Sequence, residues 1–133
     1  MKPYIYIAFF FFFTCTTSCG LPKQPELTTL ESSFINSIKK SCNCKVIREI
    51  DPKAVKGSNM DGWYLLKLSN FPCSELENEI ILKANSYLLA KELHNRVLNK
   101  FDYNYKEIII FYVCSYNQNI LKAKDFAFKK DSL

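Results

Sequence analysis

The sequence predicts an α+β domain in which a mostly antiparallel four-stranded sheet carries a long helix on one face. Two segments have apolar residues at helical spacing behind capping boxes, and four others are rich in β-branched and aromatic residues. Their order along the chain is helix, strand, strand, helix, strand, strand. A helix packed on one sheet face is the economical way to bury the apolar sides of such elements.

The first helix is predicted from Thr28 to Ser41. Thr28 and Glu31 form a capping box, in which each side chain accepts a hydrogen bond from a backbone N–H at the helix start. Apolar residues then recur every three or four positions, which predicts one buried side: Leu30, Phe34, Ile35, Ile38 and Cys42.

Two strands follow the first helix. Lys45 to Ile50 is rich in β-branched residues, and Asp51 to Gly62 carries the Pro, Gly, Ser and Asn typical of a loop. Trp63 to Ser69 alternates, so that one face is expected to carry Tyr64, Leu66 and Leu68 and the other Trp63, Leu65 and Lys67.

The longest helix is predicted to begin at a second capping box, Ser74 to Glu77, and to run to about Lys100. Its main apolar face, expected to pack on the sheet, comprises Leu76, Ile80, Ala84, Tyr87, Leu88 and Leu98. A narrower stripe lies nearly opposite and comprises Leu82, Leu89 and Leu93. Such a stripe is either covered by another element or binds a partner.

The last two strands end the domain. Lys106 to Tyr116 is apolar on both faces, which is typical of a central strand. Asn117 to Asn119 predicts a turn, and Ile120 to Phe128 is a less regular edge strand. One domain is therefore expected over residues 26–133, because a chain of this size buries enough surface for a single core.

The N-terminal residues predict export. Lys2 precedes the apolar run Tyr4 to Phe13, which suits a signal peptide and is too short to span about 30 Å of hydrocarbon as a helix. Thr16-Thr17-Ser18-Cys19 resembles the lipobox of bacterial lipoproteins, where signal peptidase II cuts before a lipidated cysteine. This resemblance implies a signal peptide over residues 1–18 and a lipidated Cys19 followed by a tether over residues 19–25.

Three alternatives to lipidation at Cys19 follow from the same segment, because Thr16 stands where a lipobox usually has Leu. They are modification of Cys15, ordinary cleavage to a free secreted protein, and an uncleaved anchor. By resemblance to lipoproteins of diderm bacteria, Gly20 instead of Asp after the cysteine implies the outer membrane. The membrane is then the first partner, through the N-terminal lipid.

The four remaining cysteines, Cys42, Cys44, Cys73 and Cys114, are candidates for two disulfides, since exported proteins meet oxidising conditions. A bond between Cys42 and Cys44 is the least expected, because one intervening residue closes a small ring. Either cysteine of that pair can instead bond Cys73 or Cys114. A zinc site would use all four thiolates with unusual spacing, and Cys114 alone could be a buried small side chain.

The sequence indicates no catalytic residues, no metal and no cofactor. Its one histidine, His94, lies at the edge of the predicted main face of the long helix, and the carboxylates of Glu75, Glu77 and Glu79 suit a helix start. The formal net charge of +5 falls to +4 once Lys2 is removed with the signal. Nucleic acid is not an expected partner, because an exported protein meets little of it.

The functional prediction is a non-enzymatic envelope lipoprotein that binds another protein or an envelope component. Candidate contact surfaces are the sheet face around Trp63, the loop from Asp51 to Gly62, and residues of the second helical stripe; the side chains concerned are Trp63, Tyr64, Leu82, Leu89 and Leu93. The alternative is a small hydrolase or small-ligand carrier. A deep apolar pocket with converging polar groups would favour this alternative, and a filled core with a flat aromatic patch would favour protein binding.

Overall fold

The computed structural model describes residues 23–54, 62–101 and 103–133, and the predicted α+β class is confirmed within them. The predicted signal peptide, Cys19, residues 20–22 of the predicted tether and residues 55–61 of the predicted loop lie outside the described residues. The helices and strands are α1 (Thr29–Cys42), β1 (Lys45–Ile50), β2 (Gly62–Ser69), α2 (Glu79–Arg96), β3 (Tyr105–Tyr116) and β4 (Asn119–Lys129).

The sheet is mixed, with its strands in the order β1-β2-β3-β4. Strands β1 and β2 are antiparallel, as are β3 and β4, whereas β2 and β3 are parallel. The parallel pair is joined by the connection that contains α2, because parallel neighbours need a crossover that returns the chain to the same end of the sheet. Two of the three pairings therefore match the mostly antiparallel prediction.

Both helices pack on the same face of the sheet. The Tyr64 hydroxyl on β2 contacts Glu31 on α1, and the Tyr112 hydroxyl on β3 contacts Ser86 on α2. The register places Tyr112 beside Leu68, which faces the same way as Tyr64. The core therefore lies between this sheet face and the two helices.

The opposite sheet face, hereafter the open face, carries apolar side chains that are half-buried except for Val113, which is buried. The predicted alternation of β2 is confirmed: Tyr64, Leu66 and Leu68 are buried, and the intervening residues are half-buried. The apolar residues of the open face are Ile47, Trp63, Leu65, Ile109, Phe111 and Val113. The central position predicted for β3 is also confirmed, since it pairs on both sides.

The predicted start of the long helix is wrong. Cys73–Leu76 forms a 3-10 turn, and α2 begins only at Glu79 behind Asn78, whose side chain accepts a hydrogen bond from the Ile81 N–H. The Cys73–Cys114 disulfide ties the turn to β3, so the chain bends between Leu76 and Glu79 instead of continuing as one helix.

The predicted core face of the long helix is also wrong. The residues of α2 that are buried against the sheet are Leu82, Ser86, Ala90 and Leu93, whereas Ile80, Ala84 and Leu88 are exposed. Small side chains at Ser86 and Ala90 let the helix approach the sheet closely. Leu76 and Leu98 are buried as predicted, but they belong to 3-10 turns flanking α2.

Within the described residues, two disulfides join Cys42 to Cys44 and Cys73 to Cys114, which corrects the pairing predicted from ring size. Asn43 ends α1 in the left-handed conformation, with φ 50° and ψ 39°, and the Cα atoms of Cys42 and Cys44 are 5.1 Å apart. Asparagine tolerates this conformation better than most residues. The turn out of the helix therefore brings the two thiols together.

The last residues of the predicted tether contact the domain. The Gln24 side chain donates to the Ile50 carbonyl at 3.1 Å and accepts from the Ile50 N–H at 2.7 Å. The Arg48 guanidinium donates to the Pro25 carbonyl. The chain is thus fixed against the free edge of β1 from Gln24 onward.

We expect the Cys73–Cys114 disulfide to contribute more stability than the Cys42–Cys44 disulfide. It closes a loop of 41 residues, so the double substitution Cys73→Ala/Cys114→Ala should lower the free energy of unfolding by about 2–4 kcal/mol. The matched control, Cys42→Ala/Cys44→Ala, opens a far smaller ring and should lower it less. Urea unfolding of the three proteins would measure this, and equal losses would contradict it.

Candidate functional site

A cleft of about 400 Å³ lies between α1 and α2 above the sheet. Its apolar residues come from both helices, from β2 and β3 and from the segment after β2, and they are Phe34, Ile38, Leu68, Phe71, Leu82, Leu89 and Tyr112. Its remaining residues are Ser37, Ser41, Cys42, Glu75, Asn85 and Glu92. The cleft therefore combines an apolar floor with a largely polar rim.

The spacing of polar residues along each helix aligns them at the rim of the cleft. Ser37 and Ser41 are four residues apart on α1, and Asn85 and Glu92 are seven apart on α2, so each pair lies on one side of its helix. A smaller cavity of about 180 Å³ shares Phe34 and Ser37 with the cleft and continues beside α1 toward Leu30, Arg96 and Val97. The groove between the helices is therefore longer than the main cleft.

The floor of the cleft is held by hydrogen bonds below it. The Ser86 hydroxyl donates to the Leu82 carbonyl at 2.6 Å and lies 2.8 Å from the Tyr112 hydroxyl, which must then be the donor between the two. Burial raises the pKa of Tyr112, so this hydroxyl stays neutral near pH 7. The Phe71 ring packs on Tyr112 with its centroid 4.7 Å away.

The α1 wall is positioned by the buried carboxylate of Glu31. It accepts hydrogen bonds from the Thr28 N–H at 2.9 Å and from the Tyr64 hydroxyl at 2.9 Å, and the Tyr103 hydroxyl lies at 3.4 Å. The Arg48 Nε is 3.9 Å from the same carboxylate. The predicted capping box of Thr28 and Glu31 is present and is also part of this buried cluster.

Two carboxylates, Glu75 and Glu92, line the cleft, and they differ in their ion pairs. Glu92 forms an ion pair with Arg96 one turn later, and Glu77 and Glu79 form ion pairs with Lys122 and Lys124 of β4 at 2.9 Å each. These lysines hold the pKa values of Glu77 and Glu79 below their usual range. Among the residues that the structure describes, none forms an ion pair with the Glu75 carboxylate, so this group is available to a ligand.

His94 lies on the side of α2 away from the cleft. Its Nδ1 contacts the Tyr105 hydroxyl, and the Lys130 ammonium lies 5.0 Å from the centroid of the Tyr105 ring. Partial burial, followed by the nearby Lys130 charge, lowers the pKa of His94. Burial raises the pKa of Tyr105, which keeps its hydroxyl neutral.

The residues predicted as a binding surface do not form one surface. Tyr64, Leu82 and Leu93 are buried, which corrects their assignment to an exposed surface, and Leu89 is half-buried in the cleft wall. Trp63 lies on the open face, on the other side of the sheet. Of the two possibilities for this helix stripe, coverage by another element is the one that the structure shows, since Leu82 and Leu93 pack on the sheet.

Sequence reasoning missed the polar residues of the cleft, which are Ser37, Ser41, Asn85 and Glu92. One signal was available, because Ser33, Ser37 and Ser41 repeat every four residues next to the apolar side of α1. A row of hydroxyl groups at that boundary indicates that this side of the helix contacts solvent. No comparable pattern marks Asn85 and Glu92.

No known protein-family model matches the chain, and no curated protein or solved structure matches it either. Among the described residues, no helix is both long and apolar enough to cross a bilayer. The same residues contain no group of three or more His, Cys, Asp or Glu side chains that could hold a metal ion.

His94 gives the protein a pH dependence that we expect to be measurable. Because folding lowers its pKa, the neutral form is favoured in the folded state, and the unfolded chain binds the proton first as the pH falls. Its contribution to stability is therefore full above the usual histidine pKa of about 6.5 and is lost as the pH falls through the lower folded value.

Urea unfolding between pH 8 and pH 5 should show this loss in the parent protein and a smaller one in His94→Gln. The chain has one histidine, so no other imidazole contributes. Identical pH profiles for the two proteins would contradict the assignment.

Proposed function

We propose that this protein is a lipid-anchored envelope module that binds a small amphiphilic molecule in the cleft between α1 and α2. The observation that carries this proposal is the cleft itself, whose 400 Å³ falls in the range of about 300–1,000 Å³ for small-molecule sites. An apolar floor with a few polar groups at the rim is typical of such sites.

The cleft residues indicate the chemistry of the ligand. Phe34, Ile38, Leu68 and Leu82 offer an apolar surface to a hydrocarbon body. Hydroxyl and amide groups at the rim can bind a polar end, and the carboxylate of Glu75 favours a cationic or hydrogen-donating one. The preferred ligand is therefore an amphiphile with a neutral or cationic head.

Binding is favoured over catalysis because two of the polar groups that line the cleft already have partners within the fold. The Ser37 hydroxyl donates to the Phe34 carbonyl at 2.6 Å, and Glu92 is paired with Arg96. A serine nucleophile needs a neighbouring base, and the imidazole of His94 lies on the other side of α2.

The envelope location is supported by the lipobox-like Thr16 to Cys19 and by the cysteine chemistry. Two disulfides are typical of a protein that folds in an oxidising compartment.

A second candidate function is supported by the open face. The half-buried Trp63, Leu65 and Phe111 lie on it, and aromatic residues are enriched in protein contacts. A partner protein bound there would leave the cleft unobstructed, because the sheet separates the two surfaces.

The anchor has a direct test. Mass spectrometry of the protein isolated from membranes should give an N-terminus at Cys19 that carries acyl chains. Cys19→Ala should abolish acylation and membrane retention, whereas the matched control Cys15→Ala should change neither. Acylation that persists in Cys19→Ala, or an intact Met1, would contradict the anchor.

The cleft is tested with amphiphiles of one chain length and different heads. Dodecyltrimethylammonium, dodecyl maltoside and dodecyl sulfate, titrated below micelle formation into the Cys19→Ser protein, should bind in that order of decreasing affinity. Leu89→Trp places a larger side chain in the cleft and should abolish binding. The adjacent control Leu88→Trp enlarges an exposed side chain outside the cleft and should not.

The head-group preference should depend on Glu75. Glu75→Gln should weaken dodecyltrimethylammonium binding about twofold to fivefold, as expected for one exposed charge, and should leave the maltoside unaffected. Calorimetry would measure all three ligands. Equal binding by Leu89→Trp and the parent protein would place the ligand elsewhere and exclude the proposed site.

A further inference from the structure

The outward side of α2 carries a stripe of apolar side chains, hereafter the α2 stripe. Ile80, Ile81 and Leu88 are 84%, 57% and 61% exposed, and Ala84 is exposed between them. Ile80, Ala84 and Leu88 are spaced by four residues and so lie in one row along the helix. Single exposed apolar residues are ordinary, but a contiguous stripe indicates an interaction surface.

Lysines flank the α2 stripe. Lys83 and Lys91 are exposed and follow Ile80 and Leu88 by three residues, which places each beside the row. The Lys91 ammonium lies 5.9 Å from the ring centroid of Tyr87. Of the acidic residues on α2, Glu79 forms an ion pair with Lys124 and also feels the charge of Lys83, and Glu92 forms an ion pair with Arg96. Both carboxylates therefore already have cationic partners, and Lys91 adds positive charge beside the stripe. Apolar side chains bordered by lysines are typical of helices that lie on anionic membranes.

The short tether limits how far the domain can stand from a membrane. Gln24 is fixed to the edge of β1, and Cys19 precedes it by five residues. Five residues reach at most about 18 Å when fully extended, whereas α2, with 18 residues, is about 27 Å long. A domain larger than its tether must rest one of its surfaces close to the bilayer. This step depends on the lipidation of Cys19 in the proposed function.

The two broad faces of the domain differ in how well they suit a lipid surface. On the open face the central apolar side chains are only half exposed, and Lys45, Lys67 and Lys129 are balanced by Glu49, Glu107 and Asp125. The helical face has protruding isoleucine and leucine side chains with lysines beside them. The lysines and the protruding apolar side chains therefore both favour the helical face as the surface that contacts the membrane.

We infer that the helical face lies on the membrane, with the α2 stripe among the lipid headgroups and Lys83 and Lys91 against anionic phosphates. The lysine stems extend along the apolar side chains while their ammonium groups reach the phosphates. The open face, with Trp63, then points away from the bilayer.

The experiment uses the chain from residue 19 onward with Cys19→Ser, so that no acyl chain contributes to membrane binding. Vesicles of phosphatidylcholine with phosphatidylglycerol should bind this protein, and vesicles of phosphatidylcholine alone should bind it more weakly. Ile80→Ser/Leu88→Ser should reduce binding to the anionic vesicles by about tenfold or more, because two apolar contacts with the lipid are lost. Lys83→Gln/Lys91→Gln should remove the preference for anionic vesicles.

The matched control is Ile120→Ser/Leu121→Ser. It replaces two side chains next to the turn of the β3–β4 hairpin, which are 65% and 59% exposed. It should leave vesicle binding unchanged, and circular dichroism should show that every variant is folded. Binding that survives Ile80→Ser/Leu88→Ser, or that is equal on both kinds of vesicle, overturns the inference. So does a dimer in sedimentation equilibrium that this substitution dissociates, because the stripe would then contact a second copy.

These outcomes are independent of the anchor, since the protein tested carries no lipid. Failure of the lipidation itself is seen separately in the mass of the mature N-terminus. An unacylated Cys19 would show that the tether does not hold the domain near a membrane. Absence of vesicle binding would show that the helical face does not bind lipid.

Discussion

The buried carboxylate of Glu31 holds together the parts of the molecule that define its cleft. A charge removed from water is costly unless donors surround it, and here the donors come from the helix start, from β2 and from the segment before β3. Burial and the neighbouring Glu31 raise the pKa of Tyr64, so its hydroxyl remains a donor. Arg48 joins the same cluster to Pro25 in the segment that precedes α1. The position of α1, and with it one wall of the cleft, depends on these contacts forming together.

The two sides of α2 differ in their side chains. Its sheet side has small residues at Ser86 and Ala90, which permit close packing, and its outward side carries the α2 stripe. Apolar side chains lie on both sides of α2, and the Ser86–Tyr112 hydrogen bond joins the inward side to the sheet. The proposals for ligand and membrane fit together, because the cleft lies between the two helices that would rest on lipid. An amphiphile is a molecule that such a membrane could supply.

Local signals in the sequence were accurate where a few neighbouring residues settle the structure. The capping box of Thr28 and Glu31 predicted the start of α1, and alternation predicted the two faces of β2. Local signals were wrong where residues distant in the sequence determine the structure. Ser74 to Glu77 has the residues of a capping box, yet the disulfide from Cys73 to β3 and the Asn78 cap move the helix start to Glu79. The cleft itself had only one local sign, the serine row on α1, because a cavity is made by the distance between two helices.

The sequence by itself determined the α+β class, the order of the elements and the interior position of β3, because backbone propensity and apolar periodicity act over a few residues. Only the tertiary structure decided which side of α2 faces the sheet, how the four cysteines pair, and that a cleft separates the helices. Counting apolar residues favoured Ile80 and Leu88, but close packing selected the side with Ser86 and Ala90. Ring size argued against joining Cys42 to Cys44, but the left-handed turn at Asn43 brought them together. In both cases the deciding quantity was the fit of surfaces in three dimensions, which a one-dimensional pattern does not contain.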